Sequence, residues 1–66
     1  MKTCNQNIQK TLDLAKIMLE LAQAGDDQRQ DTGCGVLYGV MRDCAYKIIQ
    51  LAEAEKRAHE AKGFWP

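Results

Sequence analysis

Sixty-six residues with nine basic and nine acidic side chains carry no net formal charge, so no global field steers the chain to nucleic acid or to an anionic lipid surface. Below roughly 70 to 80 residues a single core rarely stabilises a fold by more than a few kcal/mol, and such chains draw on disulfides, a metal or a partner. The three cysteines, Cys4, Cys34 and Cys44, cannot all pair within one chain, and Cys34 and Cys44 lie about 15 Å apart along one helix, too far for a bond.

The first periodic segment predicts a helix over about 4–24. Cys4, Ile8, Leu12, Ala15, Leu19 and Ala22 repeat at the 3,4 spacing of a bundle seam. Leu14, Ile17 and Leu21, joined to that stripe by Met18, add a second one. The combined apolar arc is roughly 220° wide, against the ~100° that a surface helix needs. That surplus predicts a partner. Lys2, Asn5, Gln9, Asp13, Lys16, Glu20 and Gln23 make the wet face.

Residues 25–33, Gly-Asp-Asp-Gln-Arg-Gln-Asp-Thr-Gly, contain nothing apolar and predict the turn. Gly25 suits the left-handed position just past a helix end, and Asp31 or Thr32 can accept the free amides opening the next helix. A link of this length joins antiparallel neighbours.

A second helix is expected over about 34–62. Leu37, Met41, Cys44, Ile48 and Leu51 repeat the 4,3 spacing, with Tyr38, Ala45 and Ile49 widening one edge. Folding about the turn sets Ala22 against Leu37, Leu19 against Val40 and Met41, Ala15 against Cys44, Leu12 against Ile48, and Ile8 against Leu51. The Ala15–Cys44 layer is small against small, which would leave a void unless large side chains enter from outside. Neither segment alternates with period two, so strands are not expected. Beyond Ala54 the seam turns polar, predicting that the second helix overhangs the core as a solvated extension held by Glu53–Arg57 and Lys56–Glu60 pairs.

The expected fold is therefore all-α: an antiparallel two-helix hairpin, residues 1–66 as one domain, that dimerises into a four-helix bundle. Ile8, Leu12, Ala15, Leu19, Ala22, Leu37, Met41, Cys44, Ile48 and Leu51 would form the hairpin core, and Leu14, Ile17, Met18, Leu21, Tyr38 and Ile49 the dimer interface. Phe64 and Trp65 end an aromatic tail, 63–66, that either folds back over the open end or contacts a partner.

No catalytic set, cofactor site or metal site is expected, and an enzymatic role is not. There is no Cys-x-x-Cys spacing and only one histidine, His59. Cys34, beside a helix N-terminus, is the thiol in the most reactive setting. The run Gly33-Cys34-Gly35-Val36-Leu37-Tyr38-Gly39 lacks the strand and the Lys-Ser or Lys-Thr that phosphate loops require. Its glycines instead predict close approach of a neighbouring helix or the loop. Glu55, His59 and Glu60 lie on the expected extension, with no pocket to tune them.

The chain opens on Met1-Lys2-Thr3-Cys4-Asn5-Gln6-Asn7 rather than an apolar signal core, and neither helix has a membrane-length apolar run, so a cytoplasmic protein without membrane contact is expected.

Two amphipathic helices joined by the acidic turn Gly25 to Thr32, with small and large residues alternating along the seam, resemble the Rop proteins of plasmids. The likeness is one of architecture over nearly the whole chain. It implies an antiparallel homodimeric four-helix bundle and, in that family, binding of paired RNA stem-loops. The stretch Asp31 to Gly39, continuing through Arg42-Asp43-Cys44-Ala45-Tyr46-Lys47-Ile48, is also similar to short uncharacterised bacterial hairpin proteins.

Two functional readings follow. The preferred one is a small structural or protein-interaction homodimer, whose partner is a second copy of itself and whose tail could engage an unidentified protein. The alternative is a Rop-like RNA-binding regulator contacting backbone and sugars through Asn5, Gln6, Gln9, Lys10 and Lys16. Zero net charge, with Asp13 and Glu20 on the same side, weighs against nucleic acid as a partner.

Overall fold

In the computed structural model, which covers residues 1–66, two helices account for nearly all of the chain: α1 (Thr3–Asp27) and α2 (Thr32–Ala61). They fold back on one another as an antiparallel hairpin measuring 48 × 15 × 13 Å, with no strand. Both segments are rich in Ala, Leu, Lys, Gln and Glu, which lose little rotamer freedom on entering a helix.

The turn is shorter than the polar composition suggested. Only residues 28–31 leave the helices. Gly25 is not a helix stop but part of α1, and the phenol ring of Tyr38 fills the space where a Cβ at Gly25 would stand. The glycine is there for close approach of a side chain, a use that sequence alone cannot separate from capping. Of the two candidates for the cap, Asp31 and Thr32, it is Asp31 that caps α2: its Oδ1 accepts from the Cys34 backbone amide at 2.8 Å. Arg29 pairs with Asp26 at 3.4 Å, and Arg42 reaches the same carboxylate from α2 at 3.9 Å.

Between the helices the packing is dominated by alanine. Six residues are buried, and the apolar ones are Leu12, Ala15, Ala22, Ala45 and Ala52. Ala15 and Ala22 are seven residues apart on α1, as are Ala45 and Ala52 on α2, so small side chains recur on the inward face at every second turn. Such a seam lets two backbones approach closely. The small layer expected around Ala15 does not form, because Cys44 is exposed and Ala15 is level with Ile48 and Ile49 instead.

This seam corrects the expected core. Leu37, Cys44 and Leu51 were placed between the helices, yet all three are exposed, Leu37 by 54% and Leu51 by 56%. Met41 and Ile48 lie half-buried at the seam's edge. Helix α2 is rotated by about one residue from the expected orientation, putting Ala45 and Ala52 inward in place of Cys44 and Leu51. The apolar spacing of the two stripes is alike, so periodicity could not choose between them. Close approach favours the smaller side chains. The alignment also shifts by about one turn, as Gly25 meets Tyr38 and Asn5 meets His59.

Tyr38 and Ile49, expected at a dimer interface, are corrected too. Tyr38 packs on Gly25 at the seam, and Ile49 borders the polar side with Asp43, Tyr46, Lys47, Gln50 and Glu53.

The open end carries no overhang. Asn5, three residues into α1, lies level with His59, three residues from the end of α2, so the helices finish nearly flush. Helix α2 ends in a Schellman turn: Gly63 takes φ of 74°, its amide donates to the Glu60 carbonyl at 3.0 Å, and the Phe64 amide donates to the His59 carbonyl at 2.8 Å.

Candidate functional site

Two features of the hairpin are not explained by its own closure: an apolar face running along one side, and a buried polar cluster at the open end.

The face comes from both helices. On α1, Leu14, Ile17 and Leu21 are exposed by 60%, 57% and 53%, with Met18 half-buried beside them. On α2, Leu37, Val40, Cys44 and Leu51 form the matching exposed stripe. The two stripes share a side, because a shallow groove is lined jointly by Asn7, Ile8 and Thr11 from α1 and by Ile48, Leu51, Ala52 and Glu55 from α2. From Thr11 the helical spacing continues to Leu14, Met18 and Leu21. From Leu51 it continues back through Ile48 and Cys44 to Leu37.

The opposite side is polar. Gln9 donates to Asp13 at 3.1 Å and Gln23 to Asp27 at 2.9 Å along α1, and the facing surface of α2 carries Asp43, Tyr46, Lys47, Gln50 and Glu53. The hairpin is thus two-sided. Burying the exposed half of one leucine or isoleucine side chain is worth ~1 kcal/mol. The apolar face offers several such side chains, whereas four of the five apolar residues already buried are alanines.

At the open end Asn5 is wholly buried, the only polar residue that is. Its Nδ2 donates to the Phe64 carbonyl, leaving Oδ1 as the acceptor. His59 Nδ1 therefore donates to that oxygen, at 2.6 Å, and Cys4 Sγ reaches it at 3.6 Å. His59 Nε2 faces the Glu55 carboxylate at 3.7 Å. The tail closes over this cluster. Lys2 Nζ lies 4.1 Å from the centre of the Phe64 ring, His59 meets that ring edge-on with centroids 6.4 Å apart, and Lys56 Nζ lies 5.0 Å from the centre of the Trp65 ring.

The cluster ties three segments together through satisfied hydrogen bonds, and no buried side-chain polar atom is left without a partner. It accounts for Phe64 and Trp65 without a second protein, because both fold back onto the end of their own hairpin. Sequence reasoning placed Asn5 on the wet face and His59 on a solvated extension. Both are corrected. The signal that could have found them is their position: Asn5 stands seven residues before Leu12, and His59 seven after Ala52, so each continues its helix's inward row.

Of the residues considered for RNA contact, Asn5 is inside the molecule, Gln9 is half-buried, and Gln6, Lys10 and Lys16 are exposed. They do not form a continuous basic surface. Cys34 is half-buried behind the Asp31 cap, whereas Cys4 and Cys44 are exposed, and all three thiols are free. The turn's concavity, Arg29 to Thr32, has no apolar wall. No three His, Cys, Asp or Glu side chains converge as a metal set, and no helix is long and apolar enough to cross a membrane.

The class defined by these features is the two-sided helical hairpin. No family model, curated protein or solved structure matches the chain.

Proposed function

We propose that the protein acts as a homodimeric structural or interaction module, in which two hairpins bury their apolar faces against one another as a four-helix bundle. The observation that carries this reading is the inversion of sizes across the hairpin. Its closed seam holds alanines, while Leu14, Ile17, Leu21, Leu37, Val40 and Leu51 are all more than half exposed on one side. A contiguous apolar face on so small a molecule marks an association surface. A second copy supplies a face of the same shape and polarity, as two-fold assemblies require. The three free thiols suit a reducing compartment, and we place the module in the cytoplasm.

Sedimentation equilibrium tests the reading directly and should give twice the 7.4 kDa chain mass. Ile17→Glu or Leu21→Glu puts a carboxylate into the buried face and should both dissociate the protein and unfold it, because the monomer's own core is thin. A stable folded monomer in either variant would refute the coupling between folding and assembly.

A further inference from the structure

We propose that the open end is a docking site for a peptide segment bearing two adjacent aromatic side chains, and that the chain's own tail occupies this site in cis. The site lies apart from the apolar face and does not depend on the dimer. Beyond Phe64 the tail is held by its ring rather than its backbone, since Trp65 and Pro66 make no backbone hydrogen bond to the hairpin.

The groups that receive the tail form a recognition set. Both backbone groups of Phe64 are engaged: its amide donates to the His59 carbonyl at 2.8 Å, and its carbonyl accepts from Asn5 Nδ2. Its ring meets Lys2 Nζ, 4.1 Å from the centroid, and the His59 imidazole edge-on. The next ring, Trp65, takes Lys56 Nζ at 5.0 Å. One amide donor, one carbonyl acceptor and two ammonium groups therefore specify a residue with an electron-rich ring, followed directly by a second ring. Aliphatic side chains of similar bulk offer the ammonium groups no such face. Asn5 adds a second reason. Its Oδ1 is committed to His59, and its Nδ2 has no partner except the tail carbonyl. Lifting the tail leaves the one wholly buried polar side chain with a donor aimed into the vacated space, which the carbonyl of another segment satisfies equally well.

The tail screens this site against weak competitors. Only Lys62 and Gly63 separate the end of α2 from Phe64, and so short a tether acts as an effective concentration on the order of millimolar. A free peptide displaces the tail only in that range. A protein whose aromatic pair is backed by further contacts to the hairpin does so at lower concentration.

Two titrations of the full chain test the proposal. In the first, the blocked peptide Gly-Phe-Trp-Pro is added to isotope-labelled protein and followed by nuclear magnetic resonance. The Asn5 side-chain amide and the backbone amides of Lys2 and His59 should shift saturably, and the Phe64→Ala, Trp65→Ala chain should need about tenfold less peptide than the wild type. In the second, the wild-type chain is titrated with the tryptophan-free peptide Gly-Phe-Tyr-Pro up to about 10 mM. Displacement of the tail should move the emission of Trp65, the sole tryptophan, to the red, a reading that does not depend on how well the variant folds. Gly-Leu-Leu-Pro should do neither. Unmoved Trp65 emission overturns the proposal, as do equal half-saturation in variant and wild type, equal action of the leucine peptide, or shifts confined to Leu14, Ile17 and Leu21.

Discussion

Replacing Asn5 by alanine isolates the contribution of the open-end cluster. Two hydrogen bonds disappear, Asn5 Nδ2 to the Phe64 carbonyl and His59 Nδ1 to Asn5 Oδ1, along with the weaker Cys4 thiol contact. A neutral hydrogen bond has a net worth of ~0.5–1.5 kcal/mol, and an abandoned buried partner costs more than the bond did. The expected loss is therefore about 1–3 kcal/mol. In a chain of this size each kcal/mol moves the melting temperature by roughly 4–8 °C, so thermal unfolding followed by circular dichroism should shift by about 5–20 °C. Concentration must be held fixed across variants, since assembly couples to stability. Trp65 is the sole tryptophan and lies on the segment that Asn5 holds, so its emission should move to the red and become open to iodide quenching in the folded variant. An unchanged melting temperature together with unchanged Trp65 emission would show that Asn5 neither stabilises the hairpin nor holds the tail.

Ala45→Leu should destabilise the hairpin by about 1–3 kcal/mol in urea titration, because the alanine is fully buried and a longer side chain forces the helices apart; no loss would mean that the seam is not closely packed. Gly25→Ala should also destabilise, against the ~1 kcal/mol that helix propensity alone would gain, because the new methyl overlaps the Tyr38 ring. Adding Tyr38→Ala should recover that propensity gain, and a double-mutant cycle without coupling would sink the explanation. The Cys34 amide bonded to Asp31 holds that carboxyl below its ordinary value of 3.8, so the folded chain favours the ionised form. That contribution is complete above the unfolded pKa and is lost as pH falls through the lower, folded value. Asp31→Asn should accordingly flatten the part of the acid unfolding curve below about pH 4, and an identical curve would argue against the cap.

Helix content, the antiparallel hairpin and the Asp31 cap were legible in the sequence because each rests on a local signal: periodicity, a polar break and a side chain three residues from its amide. The rotation of α2 was not. Leu37, Cys44 and Leu51 repeat with the same period as Tyr38, Ala45 and Ala52, and a rule that puts the larger apolar residues inside chooses the former. Packing chose the latter: Tyr38 lies on Gly25, and the small Ala45 and Ala52 stand level with larger α1 residues, Met18 or Leu19 and Thr11 or Leu12. The exposed stripe of Leu14, Ile17 and Leu21 was readable from the width of the arc, since one neighbour cannot cover it. Asn5 and His59 escaped notice because each looks unremarkable alone; their meaning lies in a contact between residues 54 positions apart.

The alanine seam also leaves a degeneracy. Ala15 and Ala22, like Ala45 and Ala52, repeat every seven residues, so sliding one helix past the other by seven residues would put one alanine where its fellow had stood, at little steric cost. Alanine has no side-chain rotamers to restrict, and such a seam favours association without specifying alignment. Discrimination falls to unlike neighbours at the two ends, where Asn5 finds His59 and Asp26 finds Arg42. A slipped hairpin would bury Asn5 against the wrong partner. The polar ends act as a vernier for a ruler whose middle marks are all alike.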